Sequence, residues 1–409
     1  ELGSFYRPDG LLANSKLKWE TTISRNFGID FGFLNNRVNG SLEVYWNTTK
    51  DLLMAVPVDN TTGYSYQFQN FGKTSNRGIE LSVNVDVINK GDFRFNVGAI
   101  YNYNRNKLDE LPNADQYLYS SYWGSSSLVP TNDYMFVEGK AIGLVRGFIS
   151  EGYYTVDDFN YTNGQYVLKE GVPDITKALT ATYMHPYDLP AGQTAFPGAA
   201  KFRDVDESGT VDLDDATCLG EVMPRHTGSF QLNFNYKNFD LSTNFNWTAG
   251  GKVYNVAAMI NASGQEFDGI GAQRASWVAD AFKVYNVNAA GDLYAVTNPD
   301  ELRALNANAK YHLPYHQSGI TSSEWLENGS YLRLQTLTLG YTLPKNWLAK
   351  VHVDKIRLYL TATNLFTITG YSGIDPEVNA NPTGQSGFYS DLRIFPTLNM
   401  DFGTYHFRC

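Results

Sequence analysis

The chain has 409 residues and a formal net charge of −10 at pH 7, with 28 Tyr, 24 Phe and 36 Gly. The acidic balance argues against a nucleic-acid partner, and two cysteines, Cys218 and Cys409, make neither a disulfide framework nor a thiolate metal site. No run of ~18 or more apolar residues offers a helical membrane span, although a β-barrel, whose alternating strands average out, is compatible with a mean hydropathy of −0.34.

Residues 1–16 read as loop, and the chain opens at Glu1 without an initiator Met or signal peptide, as a portion of a longer protein would. Ile23, Phe27, Ile29, Phe31 and Phe33 then alternate with Ser24, Asn26, Gly28, Asp30 and Gly32. Successive side chains of a strand point to opposite faces, so this segment has one apolar and one polar surface. Leu34 to Arg37 is a tight turn, and Val38, Leu42, Val44 and Trp46 line the return strand. After a loop at 48–70, Ile79 to Val87 alternates with Glu80, Ser82, Asn84 and Asp86. A turn at Asn89 to Asp92 leads into Phe93, Phe95, Val97, Ala99 and Tyr101.

Residues 105–224 lack sustained alternation, although Ile142 to Tyr154 reads as a local strand. The clearest hairpin follows. Phe230, Leu232, Phe234 and Tyr236 precede a turn at 237–238, and Phe239, Leu241, Phe245 and Trp247 follow it. A second long stretch, 252–327, contains an expected helix around Ala272 to Lys283, and three further strands are expected at about 329–343, 354–364 and 391–407.

Many of these nine strands run to roughly 11–18 residues, whereas strands of soluble domains are usually about 5–6. Short turns at 34–37, 89–92, 237–238 and 344–353 alternate with long loops at 48–70, 105–224, 252–327 and 365–390. That asymmetry is the pattern of an outer-membrane barrel. The expected fold is therefore an all-β, transmembrane antiparallel β-barrel with long extracellular loops at 105–224 and 252–327. With the short turns periplasmic, the first strand runs inward and the ninth ends in the periplasm.

The sharpest motif is Asp204 to Asp215, DVDESGTVDLDD. It follows the EF-hand calcium-loop spacing, with Asp204, Asp206 and Ser208 at positions 1, 3 and 5, Gly209 at 6, the Thr210 carbonyl at 7, Asp212 at 9 and Asp215 at 12. Hard cations need converging oxygens, and the glycine permits the sharp turn that gathers them. Asp stands where an EF-hand has a closing Glu. A mostly protein cage favours Ca2+, and Mg2+ suits six oxygen ligands as well. The same residues also read as an acidic solvated loop.

Other constellations are weak. Six histidines are scattered, and His312 and His316, four apart without HExxH, read as surface residues. No GxSxG, Walker A or dinucleotide fingerprint is present, so the chain reads as no enzyme. Tyr117 to Trp123 (YLYSSYW) offers aromatic rings for sugars or for loop packing.

Glu324 to Trp347 (EWLENGSYLRLQTLTLGYTLPKNW) resembles the penultimate region of SusC-like TonB-dependent transporters of Bacteroidetes. Arg357 to Val378, Leu17 to Thr22 and Lys201 to Asp215 extend the resemblance in the same order over nearly the whole chain. It implies a 22-stranded plugged barrel, of which the chain supplies about the last nine strands, with the plug, the TonB box and earlier strands elsewhere. It also implies a SusD-like surface lipoprotein over the loops, and TonB-energised import of oligosaccharides or peptides. The family's usual Asn-Gly-Asp-Gly is replaced here by Asp206-Glu207-Ser208-Gly209. A passive porin and a secreted, calcium-stabilised carbohydrate-binding β protein stay open on the residues alone. The first predicts conductance without TonB, and the second predicts a soluble protein whose apolar strand faces pack on each other.

Overall fold

The computed structural model describes residues 10–377 except 71, 112–115, 121–128, 180–184, 256–257, 260–274, 314–319, 350–352 and 374, together with 398–399. Its frame is one antiparallel sheet in sequence order. The strands are β1 (Thr21–Phe33), β2 (Val38–Lys50), β3 (Lys73–Lys90), β4 (Phe93–Glu110), β5 (His226–Tyr236), β6 (Phe239–Ala249), β7 (Tyr331–Thr342), β8 (Arg357–Thr369) and β9 (Leu398–Asn399). Of the ninth expected strand only Leu398–Asn399 is described, paired with Ala362 and Thr361. The remainder of 391–407, and Cys409, lie outside the described residues.

The register turns the alternation of eight separate segments into continuous surfaces. One row runs Ile29, Leu42, Leu81, Tyr101, Gly228, Trp247, Leu332 and Ile368 across all eight long strands. Among the described residues much of this face is uncovered: Phe27 is 59% exposed and Ile368 63%. An apolar surface of that extent left bare is the outer wall of a membrane barrel, with lipid as its solvent. Within it Trp247 and Tyr101 stack at 6.1 Å. Gly228 lies between them, where a Cβ would meet the indole at 2.7 Å. Phe95 and Phe234, directly opposed on β4 and β5, stack at 4.2 Å.

The other face is polar and hydrogen-bonded side chain to side chain. Ser242 donates to Asn233 at 2.7 Å, Asn96 to Asp86 at 3.0 Å, and Asn246 to Gln335 at 2.7 Å. Gln335 is the extra residue of a bulge, since Leu334 and Thr336 flank it in the register with β6. The bulge resets the phase of β7, so that Leu332 and Leu334 share the outer face with Leu337, Leu339 and Tyr341.

β3 and β4, 18 residues each, outrun the expected segments. At about 3.4 Å per residue they extend roughly 60 Å, more than a tilted membrane crossing needs, and β1 and β2 accompany β3 to its loop-side end, where Thr21 pairs with Lys50 and Lys50 with Lys73. β4 therefore continues to Glu110, past the position where alternation ends in the sequence. The 48–70 loop folds into a hairpin of Leu53–Pro57 and Tyr66–Asn70, joined by Leu11–Leu12. The expected strand at 142–154 is two, Leu144–Gly147 and Ser150–Tyr153, in different small sheets. The expected helix is described over Ala275–Asp280, and a second one, Pro299–Leu305, is capped by the Asn298 side chain.

The two long loops share one core. Phe148, Tyr154, Phe196, Phe202 and Val211 from the first pack with Phe282, Val296, Leu302 and Ile320 from the second. Backbone bonds stitch the loops together: Phe148 N to Thr321 O at 2.8 Å, Thr321 N to Val129 O at 2.9 Å, and Leu313 N to Gly198 O at 2.7 Å. The result is a lobe with its own buried interior, standing on the rim of the sheet.

Candidate functional site

The acidic loop lies at the lobe's edge, between the strand pair ending at Phe202 and a single 3-10 turn over Leu213–Asp215. Positive φ at Glu207 (60°) and Gly209 (86°) reverses the chain tightly. Asp204, Asp206 and Asp215 thereby place one carboxylate oxygen each within 4.8 Å of one another. Three like charges this close repel unless a cation or a proton relieves them.

The three carboxylates are held differently. Asp215 is fully buried and accepts from the backbone N–H groups of Val205 (2.5 Å), Asp206 (3.3 Å) and Asp212 (2.8 Å). Asp204 accepts from Ser208 N at 3.1 Å and Gly209 N at 2.7 Å. Asp206 accepts from Ser208 N at 3.0 Å, and the bonds from Ser208 hold its carboxyl below the usual range. Ser208 Oγ donates to the Thr210 carbonyl at 3.0 Å, which puts both oxygens at the same turn. The sixth expected ligand stands apart: the Asp212 carboxylate accepts from Asp214 N at 2.8 Å and caps the 3-10 turn. Hard oxygen donors are what a divalent cation takes, and Asp204, Asp206 and Asp215, with Ser208 and Thr210 at the same turn, are the residues that could hold one. Asp215, an Asp where an EF-hand has its closing Glu, already accepts three backbone N–H groups of the loop.

The histidine reading needs correction. His312 is buried, 2% exposed, in the lobe beside Trp277, whose ring lies 5.6 Å away. Burial pushes its pKa down to about 4. Its sequence context, KYHLPYH, gives no apolar period that would reveal an interior position. His316 lies outside the described residues, as do His352 and His406. Of Tyr117 to Trp123, residues 121–123 lie outside them too, and Tyr119 packs edge-on against Phe136.

A polar cluster unmarked in the sequence ties a third loop to the sheet. Arg333 on β7, 7% exposed, bonds Thr367 on β8 at 2.9 Å, Asp375 at 2.5 Å, and Glu377. Tyr331 also donates to Glu377. The segment after β8 is thus folded back over the rim. Arg333 sits in a polar position of an alternating strand, which reads as an ordinary lumen residue until its partners are seen.

A sheet of long antiparallel strands, bare and apolar outside and polar inside, defines a membrane-spanning β-barrel protein. The chain matches the family model described as "TonB dependent receptor-like, beta-barrel" over residues 2–365, and it belongs to that family of outer-membrane receptors and transporters, which are not enzymes. It is 30% identical to TonB-dependent receptor P3 of Formosa agariphila over 95% of this chain and 35% of that protein. It is 27% identical to TonB-dependent receptor SusC of Bacteroides thetaiotaomicron over 90% of this chain and 31% of that one. Among solved structures, the RagAB peptide transporter superposes with a TM-score of 0.63 at 23% identity, covering 90% of this chain and 34% of the other. The chain thus spans about a third of the length of these relatives.

Proposed function

We propose that the chain is the C-terminal barrel portion of an outer-membrane active importer of oligosaccharides or peptides. In this reading TonB energises transport through a plug held in another part of the protein. A SusD-like surface lipoprotein covers the loop side. Residues 105–224 and 252–327 are extracellular, and the lobe they build is the platform on which lipoprotein and substrate meet. The observation that supports it most is the two-faced sheet rimmed by a packed lobe, together with similarity to SusC along 90% of the chain. A lobe with its own core is more than a passive pore needs at its mouth. The acidic loop adds a structural cation, Ca2+ by preference, that fastens 204–215 to the lobe and takes no part in chemistry.

The test is uptake by cells carrying the natural full-length protein, with and without TonB, combined with identification of every chain that co-purifies in mild detergent. Transport that stops without TonB, with a lipoprotein in the purified complex, supports the importer. Unchanged uptake without TonB would favour a passive pore. Purification as a soluble protein without detergent would sink both.

A further inference from the structure

On the loop side of the apolar wall, one row of the register is unlike those below it. Arg25 is paired with Trp46, Trp46 with Arg77, and Arg77 with Arg105, across four adjacent strands β1 to β4. The two-residue period puts all four on the outer face, in line with Phe27, Val44, Ile79 and Tyr103 in the row beneath. Three guanidinium groups thus line ~14 Å of wall, taking strands at about 4.8 Å spacing. The row above, Ile23, Thr48, Ser75 and Lys107, is already polar in three of its four places. From Phe93 at the turn to Arg105 is about 40 Å along the strand, or roughly 30 Å of height at a tilt near 40°. A register row crosses strands so tilted and changes height by about 3 Å per strand, so the three arginines occupy the top ~9 Å of the hydrocarbon band, up to the level where Trp and Tyr gather and lipid headgroups begin.

All three arginines are exposed, and none has a carboxylate in ion-pair range among the described residues. The nearby acids are already engaged: Asp109 with Lys107 at 3.4 Å, Glu110 with Lys73 at 2.9 Å, and Glu221 with Arg225 at 2.7 Å. Glu20 accepts from the backbone of Leu53 at 2.6 Å. Cations side by side on a lipid-facing wall repel one another and lose hydration, so they call for an anion supplied from outside the chain. Arginine presents a planar fork that fits phosphate oxygens two at a time, which a lysine cannot do.

We propose that Arg25, Arg77 and Arg105 seat the phosphate groups of a phosphorylated glycolipid in the outer leaflet, with Trp46 packing at the sugar–acyl boundary. The inference rests on the membrane-barrel reading above and adds a lipid partner to it. Its consequence is that this stretch of the wall carries a bound annular lipid, and the lipid anchors β1 to β4 against the outer leaflet.

The experiment uses the natural full-length protein in nanodiscs of neutral phosphatidylcholine, titrated with phosphorylated lipid A, with the same lipid A after phosphatase treatment, and with inorganic phosphate. Bound lipid is counted by native mass spectrometry. The wild type is expected to retain phosphorylated lipid A at least ~10-fold better than the dephosphorylated form. Arg25→Gln/Arg77→Gln/Arg105→Gln is expected to abolish that preference, and the corresponding Lys variant to keep part of it. Arg77→Gln alone gives an intermediate ratio and serves if the triple variant fails to insert. Equal retention of both lipids by the wild type, or an unchanged ratio in the Gln variants, overturns the proposal. So does displacement of lipid A by an equal concentration of inorganic phosphate, which would make the site one for free anion. A protein that carries no lipid and stays soluble without detergent would instead overturn the barrel reading itself.

Discussion

His312 Nε2 lies 3.7 Å from Glu324 Oε2 inside the loop lobe, with the imidazole almost wholly buried and the carboxyl largely so. The separation is too long for a hydrogen bond. Burial works on the two groups in opposite directions, down to about 4 for the histidine and up to about 7 for the glutamic acid. Between those values burial favours the neutral form of both groups.

The pH dependence follows from the sign of each shift. Between about pH 4 and 6.5 the unfolded lobe binds the histidine proton and the folded one does not, so stability rises with pH. Between about 4.5 and 7 the folded lobe holds the glutamic acid proton that the unfolded one has lost, so stability falls with pH. The limbs oppose each other, and the wild-type lobe is expected to be nearly level from about 4.5 to 6.5. Glu324→Gln should expose the rising limb and His312→Gln the falling one, each on the order of 3 kcal/mol at full extent. Amide exchange at Phe148 and Leu313, corrected for intrinsic rates, reads the difference. Parallel profiles in both variants would refute it.

Arg333→Met removes the cation that holds Asp375 and Glu377. The loop segment 371–377 should open more readily, by about 2 kcal/mol locally, less than for a fully enclosed pair because Glu377 is 46% exposed. Limited proteolysis should cut at this segment first while β7 and β8 stay protected. Unchanged cleavage would mean that the Tyr331 contact alone suffices.

The acidic loop is tested by Asp204→Asn/Asp206→Asn, which deletes two charges and still offers one acceptor oxygen each to Ser208 N and Gly209 N, although the second Asp204 oxygen becomes an NH2 group. Calcium binding in the range of roughly 10⁻⁴–10⁻³ M is expected for the wild type, weakened at least ~10-fold in the variant. Chelation should speed exchange across 204–216 in the wild type only. If calcium leaves exchange there unaltered, the three carboxylates are a solvated loop and nothing more.

Neighbouring residues test the two faces of the sheet. Leu81 lies in the apolar row and Ser82 on the polar side of the same strand. Leu81→Arg should cost about 2–4 kcal/mol of barrel stability if its level is near the midplane, while Ser82→Arg should change it by less than about 1. Urea titration of the protein folded in lipid vesicles gives both values. Similar losses would deny that the apolar face meets lipid.

Periodicity made the barrel legible because a lipid-facing wall admits few exceptions. Eight strands, their turns and the long-loop side all followed from period-two patterns. β3 and β4 were underestimated because their loop-side ends leave the membrane, where both faces meet water and alternation stops. The bulge at Gln335 was visible in principle, since Leu332 and Leu334 are out of phase with Leu337, Leu339 and Tyr341. The lobe was far less legible. Its strands are mostly two to five residues long, and its core unites residues more than 100 positions apart, such as Phe148 with Ile320. In the acidic loop the spacing anticipated the clustering of Asp204, Asp206 and Asp215, while the Asp212 carboxylate caps the 3-10 turn, a role that spacing alone does not mark. His312 had no periodic signal to mark it as interior.

The lobe also bears on how the sheet reaches its alignment. A slip of one residue between neighbouring strands would turn apolar side chains inward and is rejected by the lipid. A slip of two keeps every side chain on its proper face, so alternation cannot detect it. It would, however, move one strand end by about 7 Å relative to the other. The loops rooted at Glu110, His226, Ala249 and Tyr331 converge on shared bonds such as Asn255 N to Trp325 O at 2.7 Å and Phe148 N to Thr321 O at 2.8 Å. Those bonds close only when the four strand ends stand at their native offsets. The lobe is thus a gauge for assembly: a mispaired barrel would carry an unclosed crown at its rim, open to proteases.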